Sequence, residues 1–426
     1  MQLFHWAILP LLTACIKVFF TSIGTQCATL RIESTNCAYK PYRREFHVTK
    51  SEDNAIANTV HNDLGTTPGN GVSEFRKMLK ATISFEASDL HIKAGTKPRI
   101  RVRGVLRSLD AEVNTESLCY QIAKDILDEV QYKHFQEHGQ IDLAYDYDDD
   151  RRFRINMFMA RGRPSLACRL ITSDIMTFEQ LHLKPILGDV AMSANGLILF
   201  AGVTGSGKST SIAAMLNYVN MRKRCHIVTI EDPIEYIFKD DKATINQREV
   251  GIDCLNFNEA LRALVREDPD VVLVGEMRDN ETFEAAIRAA ETGHLVFGTI
   301  HASSAWQTFG RIYDLFPENE RPQIRKLLAY NLRAIVYQKL LPSLREDTPR
   351  IPALEILLDT PIVTKYILEG REGELLDVII KSHEEGMIDL NTALLHLVEQ
   401  EWVSLKTAMD ATPKPEDLKM KIKGIT

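Results

Sequence analysis

The stretch that decides the fold is GVTGSGKS, Gly202 to Ser209, which fits the pattern G-x-x-x-x-G-K-[S/T] in full. Its spacing has a physical meaning. Glycines let the backbone curl until its N–H groups converge on phosphate oxygens. Lys208 reaches the β- and γ-phosphates, and the Ser209 hydroxyl is offered to Mg²⁺. The surroundings agree. GLILFA, 196–201, is apolar enough for a buried strand, and the residues after Lys208 read as a helix whose positive end favours anions. The phosphate-binding set is therefore Gly202, Val203, Thr204, Gly205, Ser206, Gly207, Lys208, Ser209 and Thr210.

Outward from this loop the pattern repeats as strand, polar turn, helix. RCHIVTIEDPIEYI (224–237), DVVLVGEM (270–277) and HLVFGTIH (294–301) are apolar strands with polar residues at their carboxyl ends. FNEALRALVRE (257–267) and NETFEAAIRAAETG (280–293) are helical spans between the later strands. Alternating β and α predicts a parallel sheet covered by helices, with ligands at the strands' carboxyl ends. After about residue 310 the chain reads as mostly helical.

The acidic residues follow those strands. TIEDPIEY supplies Glu231, Asp232 and Glu235, read either as a solvated acidic turn or as a cluster that positions metal and water. Asp232 and Ser209 are the candidate Mg²⁺ contacts, direct or through water. VVLVGEMRD ends its strand on Gly275, where a P-loop enzyme ordinarily has an aspartate, and Glu276 comes next. A glutamate there, downstream of a complete phosphate loop, is a candidate water-activating base. His294 and His301 stand at the two ends of one strand, and His301 is at the phosphate end, where it can sense the γ-phosphate.

Before the loop, residues 72–85 have helical apolar spacing, and 88–95 and 97–109 alternate like strands. IDLAYDYD, RRFRINMFMA and SLACRLI then read as three antiparallel strands of a small α+β domain. Arg154, Arg161, Arg163 and Arg169 crowd the last two. They make either a solvated basic face or a phosphate clamp at a domain or subunit boundary.

A chain of 426 residues has room for two or three domains with proper cores. Apolar residues at 45% and charged residues at 26% are ordinary globular usage. A net charge of −7 argues against nucleic acid as partner. The seven cysteines include no C-x-x-C pair, which excludes a zinc ribbon and suits reduced thiols in a cytosolic protein. Residues 1–71 differ from the rest. LFHWAILPLLTACIKVFF (3–20) carries Pro10 and Lys17, lacks a basic n-region before it and is short for a membrane helix. Residues 51–71 turn polar like a linker.

Taken together, ASDLHIKAG, RFRINMF, GVTGSGKST, TIEDPIEY, NQREVG, REDPDVVLVGEMRD and GHLVFGTIHASSA resemble the type IV pilus retraction ATPases, within the secretion ATPase superfamily. The resemblance covers about 72–420. It implies an atypical, disordered or untranslated extension over 1–71 and a PAS-like α+β domain over 72–180. A linker over 181–196, a RecA-like P-loop ATPase core over 197–345 and a mainly helical region over 346–426 follow. It further implies a homohexamer that hydrolyses ATP with Mg²⁺ in the cytoplasm, at the inner-membrane face. The implied partners are the pilus platform protein and a second pilus ATPase. By motif match, Glu276 and Glu231 are catalytic, with His301 in the His box beside His294, and Arg154, Arg161 and Arg169 reach nucleotide from the N-terminal domain.

Two departures stand out. In the family's retraction motors the C-terminal motif reads Ala-Ile-Arg-Asn-Leu-Ile-Arg-Glu. Here the stretch is IVTKYILE, with Thr364 and Leu368 in place of both arginines and Glu369 kept. That favours an accessory ATPase role, dependent on a partner motor, beside the retraction role; a related type II secretion or pilus assembly ATPase is the other alternative, and the missing C-x-x-C pair speaks against it. The other departure is the extension itself. Val72 stands where family members begin, and a GTG start codon reads as valine, so the expected product starts there as Met-Ser-Glu-Phe.

Overall fold

The structure is a computed structural model that describes residues 17–22, 28–33, 70–102, 104–264 and 266–424. The chain divides into two units, 1–67 and 68–426. In the first, β1 (Lys17–Ser22) and β2 (Ala28–Glu33) pair antiparallel. The rest of the expected extension, 1–16, 23–27 and 34–69, lies outside the described residues, while Val72, the expected start, lies inside α1, which begins at Asn70.

The second unit has two hydrophobic cores. The smaller lies between helices and a six-stranded antiparallel sheet. Its elements are α1 (Asn70–Ser84), β3 (Asp89–Lys93), β4 (Arg99–Val102), β5 (Val105–Ser108), α2 (Glu116–Ile126), α3 (Glu129–His138), β6 (Gln140–Asp148), β7 (Arg151–Ala160) and β8 (Arg163–Thr172). The strand order is β5-β4-β3-β8-β7-β6. Strand periodicity sorts β7 cleanly. Phe153, Ile155 and Met157 are buried beside Phe75, Leu79 and Ile122. Arg152, Arg154 and Asn156 alternate with them and take the opposite face. Helix ends are closed locally: Thr115 caps α2, and Asp128 with Gln131 forms a capping box on α3.

The larger core surrounds a seven-stranded sheet. Here α4 (Ile186–Ala191) leads to β9 (Gly196–Ala201), α5 (Lys208–Asn220), β10 (His226–Glu231), β11 (Thr244–Glu249), α6 (Phe257–Leu264) and β12 (Val271–Val274). Then come α7 (Asn280–Glu291), β13 (Leu295–Ile300), α8 (Thr308–Tyr313), α9 (Arg321–Asn331), β14 (Leu332–Pro342) and β15 (Arg350–Leu358). The order is β11-β10-β12-β13-β9-β14-β15, all parallel except the last pair. Central strands are buried on both faces, so they read as unbroken apolar runs. Five helices close the chain: α10 (Pro361–Leu368), α11 (Leu375–Lys381), α12 (Leu390–Glu399), α13 (Leu405–Ala411) and α14 (Pro415–Ile422).

Three details go beyond the sequence reading. The edge strand β11, TINQRE, is polar and half exposed, so no apolar run announced it. β14 and the antiparallel β15 fall within the stretch after about residue 310 expected to be mostly helical and complete the sheet, and helices follow from Pro361. The linker contains α4, packed on α5.

The small domain meets the large one at a narrow seam. Thr172, at the end of β8, bridges Tyr236 and accepts a hydrogen bond from the Ile237 N–H at 3.2 Å. Lys239 forms an ion pair with Asp150. Among the described residues, no helix is long and apolar enough to cross a membrane.

Candidate active site

Parallel strands bring their carboxyl ends to one edge, so the loops after β9, β10, β12 and β13 converge. They enclose a cavity of about 360 Å³ lined by Lys208, Ser209, Glu231, Asp232, Glu276 and His301, among others.

The loop after β9 is built on glycine. Gly202, Gly205 and Gly207 have φ of 144°, 78° and 85°, where a side chain is strained. Gly202 and Gly207 also lie hard against β14. A Cβ on Gly202 would stand 2.5 Å from the Gln338 carbonyl oxygen, and one on Gly207 would stand 2.8 Å from the Gln338 amide nitrogen. Lys208 folds back over the loop, its Nζ donating to the carbonyls of Gly202 at 2.9 Å and Val203 at 3.2 Å. Burial lowers its pKa, and the nearby carboxylates of Glu276 and Glu235 act against that. Thr210 pairs its hydroxyl with that of Tyr236 at 2.8 Å, tying the start of α5 to the acidic turn.

That turn follows β10. Glu231 is 8% exposed, and its Oε1 accepts hydrogen bonds from Thr229 Oγ1 at 2.7 Å and Gln247 Nε2 at 3.1 Å. Burial outweighs both and pushes its pKa up to about 7. Asp232 lines the cavity just beyond, joined to Pro233 by a cis peptide bond.

β12 ends beside it. The Gly275 N–H donates to the Ile230 carbonyl at 2.8 Å. A Cβ on Gly275 would come to 3.1 Å of that oxygen and 3.2 Å of Glu231 Cα, so the strand end has little room for an aspartate. Glu276 projects into the cavity lining instead. Arg278 Nη2 donates to its Oε2 at 2.6 Å, and His301 Nε2 lies 3.0 Å from its Oε1. The Arg278 hydrogen bond holds the Glu276 carboxyl below the usual carboxylate range, against partial burial.

The other expected residues scatter. His294 sits at the amino end of β13, about 20 Å from His301 along the strand, and its Nδ1 lies 2.8 Å from the Ala289 carbonyl oxygen at the end of α7. Arg154, Arg161 and Arg169 do not line the cavity of their own chain. Arg154 faces Glu249, whose pKa is raised by burial and drawn back by the charges of Arg152 and Arg154. Arg169 pairs across strands with Arg154 and makes a 2.9 Å ion pair with Asp89. Arg161 forms the tip of the β7–β8 hairpin at φ 54°, about 30 Å from the seam. Two partners were given no role by the sequence reading: Gln338, which lies in no motif, and Arg278, which lies within VVLVGEMRD. Gln338 braces the glycine loop from beneath, and Arg278 engages Glu276.

The model of the type II/IV secretion system protein family matches residues 71–386. The chain belongs to this family. Against the type IV pilus retractation ATPase PilT of Pseudomonas aeruginosa it is 40% identical over 344 residues, which is 81% of this chain and 99% of that protein. Against the type IV pilus ATPase PilU of the same organism it is 36% identical, over 82% of this chain and 91% of the relative. A crystal structure of the pilus retraction motor PilT with bound ADP superposes with a TM-score of 0.76 at 40% identity, covering 81% of this chain and 98% of that one. This secretion-family member is an ATPase, as these relatives are.

In this secretion ATPase, then, the doubly covered parallel sheet places Lys208, the buried Glu231 and the ion-paired Glu276 around one cavity of about 360 Å³. The set suits binding of a nucleoside triphosphate and general-base attack by water.

Proposed function

We propose that this ATPase is a motor of the type IV pilus system that powers pilus retraction. The observation that carries the reading is that Lys208 and Glu276 face one cavity built on the glycine loop. The N–H groups of Gly202–Thr210 and Lys208 hold the phosphates. Glu276 takes the proton from the attacking water while Arg278 and His301 orient its carboxylate. Glu231, poised at about 7, is a second acid–base group. Ser209 and Asp232 both line the cavity and offer the hard oxygen donors that Mg²⁺ prefers. Among the described residues no group of three or more His, Cys, Asp or Glu side chains makes a metal cage, which suits an ion held largely by phosphate and water. Bound Mg²⁺ supplies positive charge against the β- and γ-phosphates.

The working form in this reading is a homohexamer at the cytoplasmic face of the inner membrane. It acts on the pilus platform protein, beside a second pilus ATPase. Arg154, Arg161 and Arg169 lie away from their own chain's cavity, which supports their reaching the nucleotide of a neighbouring protomer through a PAS-like domain. A second reading, an accessory ATPase dependent on a partner motor, is favoured by α10, where Thr364 and Leu368 stand in place of two arginines. Lys208→Ala and Glu276→Gln are each expected to abolish steady-state ATP hydrolysis, the latter with nucleotide still bound. Full turnover by Glu276→Gln would reject Glu276 as the base. Deletion in the native cell separates the two roles. Excess pili with lost twitching marks a retraction motor, and excess pili only alongside a weakened second motor marks the accessory.

A further inference from the structure

Gln338 is a lone buried amide in an apolar strand. It is 2% exposed, within the buried run Ala334–Gln338 of β14. Its Nε2 donates to the Ser206 carbonyl at 2.8 Å, and its Oε1 accepts from Ser211 Oγ at 2.8 Å. The two bonds fix the amide's orientation. A carbonyl can only accept, so the nitrogen must face Ser206, which turns the oxygen to the Ser211 hydroxyl.

The bond to Ser206 has a consequence one atom further on. In a trans peptide the carbonyl and the next N–H point to opposite sides. Holding the Ser206 oxygen against β14 therefore turns the Gly207 N–H away from Gln338, on the side where Gly205, Gly207 and Lys208 line the cavity. The close approach of Gly202 and Gly207 to the same residue leaves no room for a side chain at either position, so the loop backbone packs directly on Gln338.

We infer that Gln338 is a positioning residue of the ATPase. It sets the Ser206–Gly207 peptide so that the loop's N–H groups face the phosphates before nucleotide arrives. This rests on reading Gly202–Thr210 as the phosphate loop. A glutamate would set acceptor against acceptor and place negative charge beneath the phosphates. A leucine has nearly the right shape and no donor.

The test compares full-length wild type with Gln338→Leu in ATP turnover and in fluorescent ADP titration. Contacts to phosphates that hold substrate and transition state alike raise KM when lost and spare kcat. The expected result is a rise of about tenfold in KM for ATP and in Kd for ADP, with kcat within about threefold. Unchanged KM and ADP affinity would overturn the assignment. So would a fall in kcat at constant KM, which marks a contact made only in the transition state or a loss of active protein rather than a preset phosphate loop. If nucleotide-free melting shows that Gln338→Leu does not fold, Ser211→Ala takes its place. Freeing the amide to rotate is expected to raise KM about threefold, and an unchanged KM overturns the proposal. Wild-type protein that binds no ADP would instead overturn the phosphate-loop reading beneath it, and the assignment with it.

Discussion

Arg278 Nη2 lies 2.6 Å from Glu276 Oε2 in the turn after β12. The arginine side chain is 72% exposed and the glutamate 23%, so the pair sits at the cavity mouth, open to water on one side. It keeps Glu276 ionised at pH values where an ordinary carboxyl begins to take a proton.

Removing the guanidinium should therefore show in pH dependence. In Arg278→Leu the Glu276 pKa rises, because partial burial now acts unopposed by its strongest partner. The acidic limb of kcat/KM is expected to move to higher pH, with activity recovering above it. A pH–rate profile measures this, and an unmoved limb would show that Glu276 is not the titrating base.

Glu231 carries the opposite sign. Its folded pKa of about 7 lies above the unfolded value of 4.5, so between them the native state holds a proton that the unfolded chain has released. Stability then falls as pH rises through about 7, by on the order of 3 kcal/mol at most. Glu231→Gln keeps an oxygen to accept from Thr229 and Gln247 and loses the charge. Urea unfolding at pH 5 and pH 8 should show a smaller loss in the variant than in wild type. Equal losses in both would place the titration elsewhere. Glu355 is one such place, since burial raises its pKa to about 7 as well.

Gly275 invites the aspartate that P-loop enzymes ordinarily carry there. Gly275→Asp is expected to destabilise by about 1–3 kcal/mol, because the new Cβ presses on the Ile230 oxygen and Glu231 Cα. It is not expected to raise activity. Thermal melting and a turnover assay check the two halves, and a stable, faster variant would show that the β10–β12 contact has slack.

Arginines at positions 364 and 368 are a different kind of test. Val363 and Ile367 bury one side of α10, whereas Leu368 is 39% exposed and Thr364 half-buried. Thr364→Arg with Leu368→Arg should leave the fold intact and ATP turnover within about twofold. Any gain should then appear in surface motility of the native cell. A large change in turnover itself would tie α10 to hydrolysis rather than to what hydrolysis moves.

How far the sequence was legible follows from locality. GVTGSGKS was readable because all its chemistry lies within eight consecutive residues, flanked by the strand and helix it needs. Glu276 was readable as the first charge after an apolar run. Gln338 was not, since it lies 132 residues from Ser206 and meets it only because β14 pairs with β9. Its one signal is a single amide inside an apolar strand. The two histidines were legible for the same reason as the loop: seven residues apart on one strand they stand at opposite ends, and only His301, at the carboxyl end, reaches the acids. β11 was missed because a polar edge strand shows no apolar run, and β14 and β15 because a buried apolar run inside a stretch read as mostly helical does not by periodicity alone tell strand from helix.

The seam between the two domains has a mechanical consequence. Thr172 grips Tyr236 and Ile237, Asp150 grips Lys239, and Tyr236 in turn touches Thr210 at the start of α5. The small domain thus hangs from the same short loop that presents Asp232 and Glu235. These contacts run in series from the end of β8 through Tyr236 to the start of α5, so the acidic turn and the small domain hold one another through a loop only a few residues long.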